Sequence, residues 1–266
     1  PDPAPGVGIY KRDDNGEPTG WIKEGAGWQH FTEQFPIRDG ALHEQSMLRG
    51  LQTLSESGVT TLYDGGNFGF EDLIYGFVAD LEREGQLPVR YEGTYQIFSP
   101  GRVQFAISEM KRYRNEYGGE RLQFNTIKLF MDGVNPSRAG AMLEPYADDP
   151  DYVGKTMLTA EELRNFLLEL NEEEFDIHIH TMSDLAVREV LDAVEAARDI
   201  AGEDFYPRVT IAHLQIIDAA DMPRIKELGI ICNYTPWWFA GDRDDPLKVA
   251  FGDVRYGNAY RAKTLM

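Results

Sequence analysis

Two rhythms of apolar residues alternate along this chain. Short β-branched and aliphatic runs are separated by longer stretches in which apolar residues recur every three or four positions. The first helical rhythm is Leu48, Leu51 and Leu54, and Gly58 then releases the chain into Val59-Thr-Thr-Leu-Tyr63, a predicted strand. A helix from Leu73 to Leu81 leads to a second strand at Leu87-Pro-Val-Arg-Tyr-Glu92. A helix over about 101–116 leads to a third at Thr126–Met131. In the second half, Thr159-Ala-Glu-Glu162 reads as a capping box, with Leu163, Phe166, Leu167 and Leu170 as one apolar helical face. Strand Asp176–His180 precedes a helix marked by Val187, Val190, Leu191 and Val194. Strand Arg208–Ala212 precedes a short helix that Asp218 is expected to cap, and a sixth strand spans Gly229–Tyr234.

Strands separated throughout by helices predict a parallel sheet, either doubly wound or closed as a (β/α) barrel. The barrel is favoured, because candidate chemistry sits at several strand ends and no Gly-rich dinucleotide loop follows the first strand. Six βα units are predicted where a closed barrel needs eight, so the fold class is α/β with an incomplete TIM-type barrel. Residues 1–37, rich in Pro, Gly and Trp without periodicity, are expected to be an irregular or weakly β insertion segment. Residues 38–266 form the partial barrel, the predicted catalytic domain. The connection from Met131 to Met157 is unusually long and aperiodic, which makes it the candidate lid or substrate loop.

Composition narrows the partners. The 266 residues carry 45 acidic and 26 basic side chains, a net charge of −19. A field of that sign repels nucleic acid and anionic membrane surfaces. An apolar share of 42% fits a globular chain, and no run is long enough to cross a bilayer. A soluble protein is expected, with the cytoplasm favoured. Cys232 is the sole cysteine, which excludes an intrachain disulfide. The chain starts at Pro1 rather than Met, and a natural N-terminus is expected upstream.

Three predicted strands end on potential metal ligands: Lys128, His180 and His213. A lysine inside an apolar strand needs compensation, by a buried salt bridge, a Schiff-base role with a depressed pKa, or carbamylation into an anionic bridging ligand. His178 and His180 are assigned to opposite faces of their strand, His180 inward as a ligand and His178 outward against helices. Neutral imidazole suits zinc and other borderline metals. Asp132 and Asp184 are candidates for the surroundings of the site. Asp64 either lines a pocket or initiates a turn, and Trp237, with Trp238, either offers an apolar wall for a substrate or packs beneath helices. His30 and His43 are read as structural.

The runs Ile127-Lys-Leu-Phe-Met-Asp-Gly133, Leu143-Glu-Pro-Tyr146, Ile179-His-Thr-Met-Ser-Asp-Leu-Ala186 and Ile211-Ala-His-Leu-Gln215, with Asp14-Asn-Gly-Glu-Pro-Thr-Gly20 upstream, resemble the YtcJ-like branch of the amidohydrolase superfamily. The resemblance covers nearly the whole chain in order. It implies a distorted (β/α)₈ barrel with one or two divalent metal ions, usually zinc, hydrolysing amide or other C–N bonds of small molecules. By position Lys128 would be the strand-four lysine, carbamylated and bridging, with His180 and His213 the strand-five and strand-six ligands. Ala212 and Ser183 depart from the pattern, standing where relatives often carry Glu and Gly. The family's first-strand His-x-His would lie upstream of Pro1, and its general-base Asp beyond Met266. No catalytic base is therefore expected within the chain, which on its own should be inactive, with open barrel edges available for pairing between copies. Two rivals remain: a Schiff-base aldolase using Lys128, and a non-catalytic regulatory or binding protein on the same scaffold.

Overall fold

The structure, a computed structural model, describes residues 9–23, 40–236 and 246–265. It opens with a ribbon of two antiparallel strands, β1 (Ile9–Arg12) and β2 (Pro18–Lys23). Asp13 makes the turn between them, its Oδ1 accepting from the backbone N–H groups of Asn15 and Glu17, both at 2.9 Å. The described part of the segment expected to be weakly β is thus an antiparallel hairpin whose register shifts between Tyr10 and Arg12, and it carries the Asp14–Gly20 motif.

Helices and parallel strands then alternate. Helix α1 (Gly40–Glu56) precedes β3 (Thr61–Tyr63), and α2 (Glu71–Arg83) follows it. The next pass of sheet is made by β4 (Arg90–Glu92) and β5 (Gln96–Ile97), followed by a 3₁₀ turn at Pro100–Phe105 and by α3 (Ala106–Glu116). The third pass is β6 (Leu122–Gln123) with β7 (Thr126–Phe130), and α4 (Ala160–Glu172) comes after the long loop. Then follow β8 (Asp176–Thr181), α5 (Asp184–Ala201), β9 (Val209–His213), α6 (Met222–Glu227), β10 (Ile231–Asn233), α7 (Pro246–Gly257) and α8 (Ala262–Leu265).

The sheet has two hydrogen-bonded blocks, β3-β4-β6 and β10-β9-β8-β7-β5, with every pairing parallel. They are continuous through two strand passes, each broken briefly where Gly93–Tyr95 faces Phe124-Asn125. The Gly93 N–H bonds the Gln123 carbonyl at 2.8 Å, and the Lys128 N–H bonds the Tyr95 carbonyl at 3.1 Å. Gly93 is needed at this break, since a Cβ there would lie 2.3 Å from the Phe124 ring. Six passes in sequence order with helical crossovers form an open (β/α) barrel. Among the described residues β3 and β10 have no outer neighbour.

Alternation along each strand sorts the two faces of this sheet. Ile127, Leu129, Ile177, Ile179, Val209 and Ile211 pack outward against Leu163, Phe166 and Leu167 of α4 and Val187, Val190 and Leu191 of α5. All of these side chains are buried, and each fully buried aliphatic or aromatic group contributes about 1.5–3 kcal/mol. The inward face, by contrast, carries Lys128, His178 and His180.

Local signals were realised unevenly. Thr159 and Glu162 form the expected capping box, with the Thr159 hydroxyl accepting from the Glu162 N–H and the Glu162 carboxylate accepting from the Thr159 N–H. Gly58, at φ +91°, supplies the left-handed turn that ends α1. Asp218 does not cap α6; its carboxylate bonds the Ala220 N–H in the preceding turn, and Asp221 occupies the cap position. No helix among the described residues is long and apolar enough to cross a membrane. The Thr159→Ala variant should lose about 1 kcal/mol of unfolding free energy. Urea denaturation measures this, and an unchanged midpoint would show that the box contributes nothing to α4.

Candidate metal centre

The parallel register lines up a polar row across the inner face. Gln96 lies opposite Lys128, Lys128 opposite His178, and His178 opposite Thr210. His180 stands one step further along, opposite Phe130 and Ala212. The assignment of His178 and His180 to opposite faces is incorrect. Side chains alternate with a period of two, so residues i and i+2 share a face. Both histidines point inward. His178 Nδ1 lies 3.0 Å from Lys128 Nζ, its Nε2 lies 3.2 Å from Asn233 Nδ2, and its ring centroid is 4.9 Å from that of Tyr63.

His213 reaches the same side by a different route. It is paired with Thr181, one residue off the inward parity set by Ala212. At φ +77° it is left-handed, as is Leu214 at φ +49°, a conformation that a side-chain-bearing residue adopts only at a cost. The turn brings its ring edge-on to His180 with centroids 4.5 Å apart, while Nδ1 lies 3.2 Å from Thr235 Oγ1. His180 is also stacked on Phe130 at 4.5 Å. Its Nε2 is buried and has no hydrogen-bond partner. A buried ring nitrogen left unsatisfied costs about 1–3 kcal/mol unless something occupies it.

Lys128 is only 3% exposed, and among the described residues no carboxylate forms an ion pair with it. Of the three compensations for a buried lysine, the described residues supply no salt bridge. Burial lowers its ammonium pKa to about 7, so near neutral pH a large share is free amine. His178 is lowered to about 3, first by burial and then by Lys128 and His213. Burial, with Lys128 adding to it, brings His213 to about 3 as well. His180 falls well below the usual imidazole range, by burial and then by the neighbouring His213, Lys128 and His178. All three rings are therefore neutral at physiological pH, the form that donates a lone pair to a metal ion.

The predicted carboxylates lie elsewhere. Asp132, fully buried, accepts from the N–H groups of Met182 at 2.8 Å and of Ala141 and Ser183 at 3.1 Å. Burial pushes its pKa up to about 7 against the pull of these donors. It therefore clamps the loop to the end of β8. Asp184 opens α5 and accepts from the N–H groups of Leu143 at 2.9 Å and Leu185 at 3.0 Å, with its pKa raised by burial. Asp64 initiates a turn: its carboxylate accepts from the Gly66 N–H at 2.9 Å, Asn67 Nδ2 at 2.6 Å and the Tyr91 hydroxyl at 2.9 Å. Trp237, Trp238 and His30 lie outside the described residues. Among the described residues, no three His, Cys, Asp or Glu side chains converge as a metal-binding group.

Three inner-face residues escaped sequence reasoning. His178 was available from the period-two rule alone. Gln96 depends on register, which no local signal supplies. Its Oε1 accepts from the Phe68 N–H at 2.8 Å, which fixes the amide orientation and leaves Nε2 buried without a partner. Phe130 could have been placed by parity with Lys128. The long loop is also less free than expected, because its first half is largely buried and bonded to strand ends. The Gly133 N–H bonds the Ala139 carbonyl at 2.9 Å, and the Met157 N–H returns to the Met131 carbonyl at 2.7 Å. Met142 and Tyr146 join Ile216, Leu247, Ala250 and Phe251 in a second apolar cluster.

A strand lysine and strand-end histidines on the inner face of an open (β/α) barrel accord with the comparison to protein families, where a model described as "Amidohydrolase family" matches residues 1–266. The chain belongs to the amidohydrolase family. Over 263 residues it is 27% identical to "Exoenzymes regulatory protein AepA" of Pectobacterium carotovorum subsp. carotovorum, covering 98% of this chain and 55% of that protein. Over 264 residues it is 24% identical to YtcJ of Bacillus subtilis (strain 168), covering 99% of this chain and 48% of that protein. This amidohydrolase chain therefore spans about half the length of the curated relatives it matches. Its fold resembles that of an uncharacterized metal-dependent hydrolase from Pyrococcus furiosus, with a TM-score of 0.68 at 23% identity over 96% of this chain and 50% of that one.

The titration of Lys128 has a direct consequence for stability. The folded amine titrates at about 7 and the ordinary one at 10.5, so between these values the unfolded chain binds more protons and stability rises with pH. The Lys128→Met variant removes that dependence. In carbonate-free buffer it should be the more stable protein at pH 7, by on the order of 2–4 kcal/mol, with the gain shrinking towards zero near pH 10.5. Urea melts at pH 7 and pH 10 test this; an equal gain at both would mean that Lys128 is not buried as an amine.

Proposed function

We propose that this amidohydrolase chain contributes Lys128, His180 and His213 as ligands of a divalent metal centre, with zinc as the metal, in a hydrolase of C–N bonds in small amide-type substrates. The observation that carries this reading is the buried, unpartnered Nε2 of His180 beside the ring of His213. Two neutral imidazoles and a deprotonatable amine on one face suit a borderline cation. A cation held there supplies Lewis acidity towards a carbonyl and acidifies water.

The residues of the chain have separable roles in this proposal. His180 and His213 each offer a ring nitrogen, the former oriented by stacking on Phe130 and the latter by Thr235. Lys128 in its free-amine form adds carbon dioxide at Nζ, a C–N bond forming as one proton is released, and the resulting carbamate is an anionic oxygen donor. His178, 3.0 Å from that nitrogen, orients it. This donor set is partial, and with no carboxylate base beside it among the described residues the 266 residues alone hydrolyse nothing.

A second reading draws on one finding: a relative with 27% identity is named a regulatory protein. In that case the same face binds a ligand without turning it over. Equilibrium dialysis against zinc, with hydrolysis assays on formamides, N-acyl compounds and cyclic amides, separates the readings. The 266-residue chain should bind zinc weakly and hydrolyse no amide, and the gene product with its flanking sequence should do both. In that longer protein, His180→Ala, His213→Ala and Lys128→Met should each lose most of the bound zinc. Turnover by the 266-residue chain alone would overturn the proposal, as would zinc-free activity of the longer protein with borohydride trapping at Lys128. A longer protein that binds zinc but hydrolyses nothing supports the regulatory reading.

A further inference from the structure

A buried chain of polar side chains joins the two strand ends that carry His180 and His213. At its centre is Asn135, fully buried in the loop after β7. Its Nδ2 donates to Gln215 Oε1 at 2.8 Å, and its Oδ1 accepts from the Ser183 and Tyr146 hydroxyls, each at 2.8 Å. Ser183 follows His180 by three residues, and Gln215 follows His213 by two. Gln215, 2% exposed, is gripped from its other side as well. Its Nε2 donates to the Tyr260 hydroxyl at 2.6 Å, and its carbonyl accepts from the Tyr260 N–H at 2.9 Å. The packing closes around Asn135 so tightly that a Cβ at Gly140 would lie 2.0 Å from Asn135 Oδ1 and 2.2 Å from Ser183 Oγ.

This chain is attached at the most strained backbone of the site. His213 and Leu214 are both left-handed, a strained conformation that persists only where the surroundings over-determine it. Two backbone bonds hold the spacing to the neighbouring strand end, Leu214 N–H to the Thr181 carbonyl and Ile216 N–H to the Met182 carbonyl, both at 3.0 Å. The ring direction of His213 depends on its φ. A return to extended geometry would point the side chain along the outward parity of Thr181, away from His180. The residue between the two backbone bonds is Gln215, and its side chain is the one tied across the site.

We propose that Gln215, held between Asn135 and Tyr260, is a positioning residue that locks the left-handed turn at His213 and so fixes the His180–His213 pair for a cation. The inference rests on the reading of both histidines as ligands, but the ring geometry itself can be measured without metal. The predecessors of such a device are familiar in kind: partners outside a metal's ligands typically alter affinity 10–100-fold when removed.

The test uses the 266-residue chain, isotope-labelled, with two readouts: the nuclear Overhauser effect between the His180 and His213 ring protons without metal, and zinc affinity by competition with a chromophoric chelator. Gln215→Met should lose the ring contact and weaken zinc about tenfold or more. Gln215→Glu, whose carboxylate still accepts from Asn135 Nδ2 and can accept from the Tyr260 hydroxyl where the amide donated to it, should restore both. Tyr146→Phe removes a donor to Asn135 but leaves the grip on Gln215, so it should lower stability without moving either readout. Retention of the ring contact in Gln215→Met overturns the proposal, and so does an equal loss in Tyr146→Phe, which would indicate general loosening. If Gln215→Met fails to fold, Tyr260→Phe at the outer end of the chain is judged by the same two readouts. A wild-type chain that shows the ring contact but binds no zinc sinks the ligand reading, while the variants still decide the positioning role.

Discussion

An amine sealed into the inner face of the sheet, with no carboxylate paired to it among the described residues, is the constraint from which the electrostatics of this face follow. An unpaired ammonium in such a place is far too costly to hold, so burial shifts Lys128 towards its neutral form. The same dry surroundings keep His178, His180 and His213 unprotonated, and the nearby Lys128 adds to the shift at each. The result near neutral pH is three neutral rings beside a lysine of which a large share is free amine. Such a cluster is destabilising for a fold considered alone, and it makes sense where a cation or an electrophile completes it.

The outer half of the same sheet shows what supports that cost. Ile127, Leu129, Ile177, Ile179, Val209 and Ile211 alternate with the inner polar residues and pack against α4 and α5 without exposure of consequence. Strand alternation thus lets one short segment serve both purposes: Thr126–Phe130 places two aliphatic side chains in the core and one amine in the site. Parallel register then aligns Gln96, Lys128 and His178 side by side. A slip of one residue would exchange the two faces along the whole segment, burying the amine against helices and stranding the aliphatic groups.

How much of this could be read from the sequence follows from the range of each interaction. The six strand passes and their helices were legible because apolar periodicity is local, and the Thr159–Glu162 box because capping spans three residues. Lys128, His180 and His213 were legible as a group because each belongs to such a strand, although Lys128 lies at the centre of β7 and not at its end, with His180 and His213 near the ends of β8 and β9. Their geometry was not. His178 was misplaced by a parity error that the sequence itself could have corrected, whereas His213 sits off parity and joins the site only through a left-handed backbone that no residue type announces. Asp132, Asp184 and Asp64 looked like site carboxylates since acidic residues at strand ends suit either chemistry or turns. Backbone N–H groups, invisible in a sequence, claimed all three.

The long connection after β7 brings these points together. Loops of that length are commonly mobile, but this one commits Asp132 to the end of β8 and Asn135 to the ends of both β8 and β9. Its second apolar cluster, around Tyr146 and Phe251, sits outside the main core and ties α7 down over it. Lifting the segment as a lid would strip two hydrogen bonds from the buried Asp132 carboxylate, those from the Met182 and Ser183 N–H groups, and two from the buried Asn135 amide, those with Ser183 and Gln215. A loop so anchored works as a brace. It holds the strained His213 and the unsatisfied His180 face to face through the protein's own contacts.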